Sequence, residues 1–312
     1  MDKVANGSRG CLFINFGTSH IVNLFVALHS LRQVYQGPVT LFLIKGERYQ
    51  DRLGAQIEEA FNASLFWIDR PPSIKFWNIK QIVLQLSPYR STILFDSDLL
   101  FVKPIDPLWE PLEEKGILLT RFFPNPYGID GSAENPGWAN RVQYVNDIKH
   151  LLSDDEYRQT IKQLLIDEID VNTGVMGHVK GKGDAFLQDW KRRIEKGLSL
   201  TLVDEILAVA LLHRYPHYLA DEKWNCPADE FFGKTNIRDA AIIHYFADGA
   251  RLPFGNIILG RAGHTWASTK WFTHFYKVRS EYKLNEWCKF DKVLGGNLTH
   301  RVKSFAKNIM DR

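Results

Sequence analysis

Residues Ser91 to Pro104 read S-T-I-L-F-D-S-D-L-L-F-V-K-P. Ile93, Leu94 and Phe95 form a short apolar β segment, and Leu99 and Leu100 resume it after two aspartates, Asp96 and Asp98, with one small residue between them. Carboxylates beside a hydrophobic strand are costly to desolvate unless something cationic meets them. Two of them, one residue apart in a tight turn, can face the same divalent cation and leave it open positions for phosphate oxygens.

The chain before this stretch alternates between two periods. Cys11–Phe16 reads as a buried strand, and Gly17, Thr18 and Ser19 make a turn whose serine suits a helix cap. Ile21, Leu24, Phe25, Leu28, Leu31 and Tyr35 recur at helical spacing until Gly37-Pro38 stops them. A strand at Val39–Ile44, a helix at Tyr49–Phe61 and a strand at Leu65–Ile68 follow. Next come a helical face of Phe76, Ile79, Ile82, Val83 and Leu86 and a fourth strand at Thr92–Phe95. This pattern predicts an α/β fold with a mostly parallel central sheet and helices on both faces. Ligands of such sheets bind beyond the carboxyl ends of the strands, where Asp96 stands.

Further on, Phe122–Trp138 is rich in Pro, Gly and Asn and reads as a long loop. Helices are expected over Ala139–Leu152 and Asp154–Ile166, then a strand-like D-V-N-T-G-V-M-G, a helix ending near Gly197, an apolar helix at Val203–His213 and a buried strand at Ala240–Tyr245. The last fifty residues are aromatic and basic and read as helical.

Hydrophobic residues at 45% and charged ones at 24% are ordinary for a soluble globular chain of 312 residues. A net charge of +3 is too small to favour nucleic acid as a partner. The three cysteines, Cys11, Cys226 and Cys288, are odd in number and far apart, which implies neither a disulfide framework nor a zinc site. With no apolar run of membrane-spanning length and no signal-peptide core at the N-terminus, a reducing, cytoplasmic location is expected. Near the C-terminus, Val302, Phe305, Ile309 and Met310 alternate with Arg301, Lys303, Lys307 and Arg312. Such a basic amphipathic tail suits the anionic inner face of a membrane, or docking as a terminal helix.

A third metal ligand is on offer in I-I-H-Y-F-A-D-G, where His244 directly follows a buried β run. Imidazole suits Mn²⁺ better than Mg²⁺, which favours an all-oxygen shell. The expected ion is therefore Mn²⁺ or, failing that, Mg²⁺, and its Lewis-acid role would be to neutralise a departing diphosphate.

F-D-S-D-L-L-F also resembles the D-x-D motif of GT-A-fold glycosyltransferases, and further motifs follow in the order of glycosyltransferase family eight, the group of glycogenin and bacterial lipopolysaccharide galactosyltransferases. Lys80, upstream on a helix, stands where that family has a donor-contacting lysine. N-T-G-V-M from Asn172 is similar to its N-[SAT]-G-V stretch, V-D-E-I-L from Val203 to its D-Q-x-I-L-N helix start, and I-I-H-Y to its late metal-binding histidine. His20 lies near the place of a base-packing tyrosine. The family's H-F-x-G-x-x-K-P-W becomes H-Y-F-A-D-G-A-R-L-P-F, so Gly249 comes two positions late and Arg251 takes the lysine's place. The D-Q pair aligns in two ways, which leaves open whether Asp204 or Glu205 faces the sugar.

The resemblance implies a GT-A domain over residues 1–260, with a nucleotide-binding half at about 10–105 and an acceptor and metal half at about 106–260, and a helical C-terminal extension over 261–312. It implies donor-binding roles for Phe16, Gly17, Thr18, His20, Lys80, Asp96, Ser97, Gly249 and Arg251, metal ligation by Asp96, Asp98 and His244, and catalytic roles for Asn172, Asp204 and Glu205. The implied reaction moves a sugar from a nucleotide-diphosphate donor, a UDP-sugar first, to a glycan, lipid-linked or small-molecule hydroxyl with retention of configuration. Two other readings stand beside it: a haloacid-dehalogenase-like phosphohydrolase, which also carries D-x-D after a strand, and a catalytically silent nucleotide-sugar-binding module.

Overall fold

The computed structural model describes residues 8–15, 21–45, 48–69, 79–122, 136–197, 203–228, 235–245 and 262–282. Strands β1 (Arg9–Ile14), β2 (Val39–Ile44), β3 (Ser64–Ile68) and β4 (Ser91–Phe95) alternate with helices α1 (Ile21–Val34), α2 (Arg48–Phe61) and α3 (Lys80–Leu86). All four strands run parallel, β1 between β2 and β4, as the alternating pattern predicts. Cys11 and Phe13 of β1 enter one core with Leu24, Leu28 and Phe95, while Leu12 and Ile14 enter another with Val83 and Leu94. Burial on both faces is why β1, β2 and β4 read as unbroken apolar runs.

Past Asp98 the chain makes β5 (Leu99–Phe101), a short 3-10 turn and α4 (Trp109–Lys115), which ends on Gly116 at φ 89°. Only glycine adopts that left-handed cap at no cost. It releases the chain into β6 (Ile117–Phe122), a strand the periodicity reading passed over. Helix α5 then begins at Pro136 rather than Ala139, so the loop expected at Phe122–Trp138 is bounded by β6 and α5, and residues 123–135 lie outside the described ones. Helix α6 (Asp154–Leu165) opens with a capping box between Ser153 and Glu156. Strand β7 (Asp170–Val179), α7 (Asp184–Lys196), α8 (Val203–Leu211), β8 (Tyr218–Ala220), β9 (Cys226–Pro227), β10 (Ile242–His244) and α9 (Ala262–Glu281) complete the described chain.

The main sheet has seven strands in the order β3-β2-β1-β4-β7-β6-β8, with β7 antiparallel to both neighbours. A second sheet, β5-β10-β9, rises at the end of β4. Helix α9 lies against α1, where Trp271 and Phe275 are buried and the Tyr245 hydroxyl donates to the Ala267 carbonyl at 2.8 Å. The basic tail at 301–312 lies outside the described residues. No described helix is long and apolar enough to cross a membrane.

Candidate active site

Strand β4 delivers Asp96 at its carboxyl end, where the Asp96 amide donates to the Gly174 carbonyl at 2.9 Å. Ser97, buried, and Asp98 turn the chain into β5, whose Leu99 pairs with His244 of β10. The Tyr245 amide closes the turn on the Asp98 carbonyl at 2.9 Å. One sheet therefore supplies Asp96, the other His244, and the turn between them Asp98. His244 Nε2 lies 3.1 Å from Asp98 Oδ1 and 4.0 Å from Asp96 Oδ2. One donor atom from each residue falls within 4.8 Å of the others. Two carboxylates and an imidazole converging this way could hold a divalent metal ion. Gly174 makes room for the convergence, since a Cβ there would collide with the His244 ring and lie 2.8 Å from Asn172 Oδ1.

Lys80, which the resemblance places at the donor, is buried. Lys80 Nζ lies 2.8 and 2.9 Å from the two Asp96 oxygens and donates to the Thr173 carbonyl and hydroxyl at 3.0 and 3.1 Å. Burial lowers its pKa, but the charges of Asp96, Asp204 and Glu205 outweigh this and raise it, so Lys80 is an ammonium.

Thr173 reaches Lys80 because β7 is irregular here. Thr120 of β6 pairs with Asn172 while Leu119 pairs with Met176, so 173–175 bulge out of the β6 ladder beside the end of β4. Bulges re-aim side chains in this way near functional sites. Thr120 Oγ1 fastens the bulge by donating to the Asn172 carbonyl at 3.0 Å. Asn225 Nδ2 donates to Thr120 Oγ1 at 2.8 Å and to Asn172 Oδ1 at 2.9 Å.

The acidic pair at the start of α8 joins the same network. Thr173 Oγ1 donates to Asp204 Oδ2 at 3.0 Å, and Asn172 Nδ2 donates to Glu205 Oε1 at 2.9 Å. Burial pushes the Asp204 carboxyl up to about 6, helped by the Glu205 charge and opposed by Lys80. Arg141 of α5 donates to Glu205 Oε2 at 2.8 Å and pairs through Nε with Asp170 Oδ2 at 2.7 Å. Burial also pushes Asp170 up to about 6, against the pull of Arg141.

Asp96, Ser97, Asp98, His244, Lys80, Asn172, Asp204 and Glu205, named from sequence, thus lie on one bonded network or immediately beside it. Phe16, Gly17, Thr18, His20, Gly249 and Arg251 lie outside the described residues. Sequence reasoning missed Thr120, Arg141, Asp170, Thr173 and Asn225. Only Asp170 and Thr173, inside the D-V-N-T-G-V-M-G stretch, sat next to a signal that pointed to them.

No family model matches the chain, and no curated protein matches it in sequence. Its fold has clear counterparts among solved structures. The galactosyltransferase LgtC, solved with donor and acceptor sugar analogs, superposes with a TM-score of 0.52 at 13% identity over 88% of this chain and 99% of its own. Mouse xyloside xylosyltransferase 1 gives 0.50 at 13% identity over 78% of this chain and 99% of its own. The bifunctional glycosyltransferase WbbM gives 0.53 at 14% identity over 79% of this chain, which spans 47% of that protein. The chain has the GT-A fold of glycosyltransferases, as the sequence resemblance implies.

Proposed function

We propose that the chain is a metal-dependent glycosyltransferase that moves a sugar from a nucleotide-diphosphate donor, a UDP-sugar first, to a hydroxyl acceptor with retention of configuration. The observation that carries this is the Asp96–Asp98–His244 cluster at the carboxyl end of β4 in a GT-A fold. These three residues would hold Mn²⁺ or Mg²⁺, which when bound supplies Lewis-acid neutralisation of a diphosphate. Lys80 fixes the Asp96 carboxylate from behind and adds positive charge next to the ion's place. Arg251 is the second diphosphate cation, able to bind two oxygens at once. Asn172 and the Asp204–Glu205 pair, held by the β7 bulge and α8, hold the sugar.

The acceptor is a glycan, a lipid-linked sugar or a small molecule, with the Phe122–Trp138 stretch and the C-terminal extension beyond residue 260 as the parts that select it. The charge pattern of 301–312 supports peripheral contact with an anionic membrane on the cytoplasmic side. The phosphohydrolase alternative gains nothing from the fold, because the D-x-D pair follows the fourth strand and turns into β5 of a second sheet, antiparallel to β10.

A panel of nucleotide sugars tests the reading by thermal shift and by donor hydrolysis, with and without Mn²⁺. A ligand at a hundred times its Kd stabilises the folded state by about 2.7 kcal/mol, which a melt resolves. One donor that shifts the melt and is hydrolysed only with metal is the expected result. Binding without turnover, even with candidate acceptors supplied, would favour the silent module. A panel with no shift, or cleavage of a simple phosphate ester, would remove the assignment.

A further inference from the structure

The two acids that open α8 are treated differently by their neighbours. Both Glu205 oxygens are taken, Oε1 by the Asn172 amide at 2.9 Å and Oε2 by Arg141 Nη1 at 2.8 Å. Arg141 is itself buried, held on its other side by Asp170 at 2.7 Å, with its guanidinium 5.3 Å from the centre of the Phe122 ring. Asp204 gives Oδ2 to the Thr173 hydroxyl, while its Oδ1 is buried with no hydrogen-bond partner among the described residues. A buried acceptor left open is costly, and native structures keep few of them without a reason.

Resting on the function proposed above, we infer that Arg141 is a positioning residue: it claims Glu205, and through Glu205 sets Asn172, so that Asp204 is the acid left to accept a hydroxyl of the donor sugar. The chain of contacts is continuous. Asn172 spends its amide nitrogen on Glu205 and its Oδ1 on the Gly174 amide and on Asn225, at 2.8 and 2.9 Å, so its orientation depends on Glu205 staying where Arg141 holds it. Only a guanidinium spans Asp170 and Glu205 together, and the single ammonium of a lysine does not reproduce that fork.

The test compares Asp204→Asn, Glu205→Gln, Arg141→Lys and the double variant Glu205→Gln/Arg141→Lys, measuring metal-dependent donor hydrolysis as separate kcat and KM, with a melt of each. Asp204→Asn and Glu205→Gln are near-isosteric, so the comparison survives even if the Arg141 variants fold poorly. Asp204→Asn is expected to lower kcat/KM by about a hundredfold or more, and Glu205→Gln and Arg141→Lys each by about tenfold, in kcat rather than KM. The double variant should be no worse than the weaker single one, because residues that act as a unit are not additive. A larger loss for Glu205→Gln than for Asp204→Asn, or losses at Arg141 and Glu205 that multiply, would overturn the inference while leaving the function standing. A wild type that hydrolyses no nucleotide sugar would remove both.

Discussion

Two acidic clusters among the described residues handle their charge in opposite ways. Between α6 and α7, Glu156 accepts from Arg193 at 2.7 and 3.1 Å, from Arg214 at 2.8 Å and from the Ser153 amide at 2.7 Å. Asp189 beside it accepts from Arg193 Nε and from the Tyr215 hydroxyl, both at 3.1 Å. Burial raises the Glu156 pKa, but the bonds from Arg193, Ser153 and Arg214 outweigh it and hold it at about 2. At the carboxyl end of β4, among the described residues, five carboxylates (Asp96, Asp98, Asp170, Asp204 and Glu205) gather around two permanent cations, Lys80 and Arg141, with His244 against Asp98, and two of the five are pushed up to about 6. A chain able to satisfy buried acids completely in one place leaves them in excess in the other. Negative charge kept in excess at one site is what a cation and a hydroxyl-bearing ligand would complete.

The largest test of that contrast is Asp98→Asn. It should cut metal-supported transfer by about a thousandfold, as loss of a main electrostatic element does, while the metal-free melt stays level or rises. Arg193→Met should do the reverse. It strands Glu156 and Asp189 without their main partner and should cost about 3–5 kcal/mol of stability, with donor affinity per folded molecule unchanged. Denaturant unfolding and donor titration read both. If Asp98→Asn unfolds the protein as Arg193→Met does, the acidic cluster is structural and the contrast fails.

What the sequence made legible follows from how local each signal is. Asp96, Asp98 and His244 were found because each interrupts or ends an apolar β run, a pattern readable within ten residues. Strand β6 carried a signal too, Gly116 before I-L-L-T-R-F, but no alternation separates such a run from a buried helix. Lys80 resembles any polar position on an amphipathic helix, and only the family resemblance marked it. The bulge at 173–175 is a mismatch of register between β6 and β7, and no local period records it. Thr120 and Asn225, which fasten it, meet from positions 105 residues apart. Arg141 gave no signal at all, because its role exists only where α5, β7 and α8 come together.

The two clusters should also respond to pH with opposite signs. Glu156, held near 2 against an ordinary 4.5, contributes stability that is present above pH 4.5 and lost as the pH falls toward 2. Asp204 is raised from an ordinary 3.8 to about 6, so the folded state favours its protonated form; that stability is present below pH 3.8 and lost as the pH rises through 6. Asp204→Asn should therefore match the wild type near pH 4 and exceed it by about 1–3 kcal/mol at pH 7, although transfer is lost. Urea melts at the two pH values measure the gap. Equal gaps at both would mean that Asp204 is as well compensated as Glu156.

The smallest expected effect sharpens the contrast most, because it adds one methyl group and no charge. In Gly174→Ala the new Cβ would strike the His244 ring and lie 2.8 Å from both Asn172 Oδ1 and His244 Nδ1. Overpacking of this kind costs about 1–3 kcal/mol, part of it relieved by moving whichever neighbour is less firmly held. Asn172 is tied to Glu205, Gly174 and Asn225, and the new Cβ would meet the His244 ring more closely than it meets Asn172. The imidazole should therefore yield, and Mn²⁺ affinity should fall more than stability does. Gly181 serves as the control: its φ of 84° strains any other residue, but a Cβ there meets nothing within 4 Å. Gly181→Ala should cost about 1–2 kcal/mol and leave Mn²⁺ binding untouched. Metal titration by calorimetry separates the two variants. Equal metal affinity in both would show that His244 does not need the space Gly174 leaves, and would take the imidazole out of the metal site.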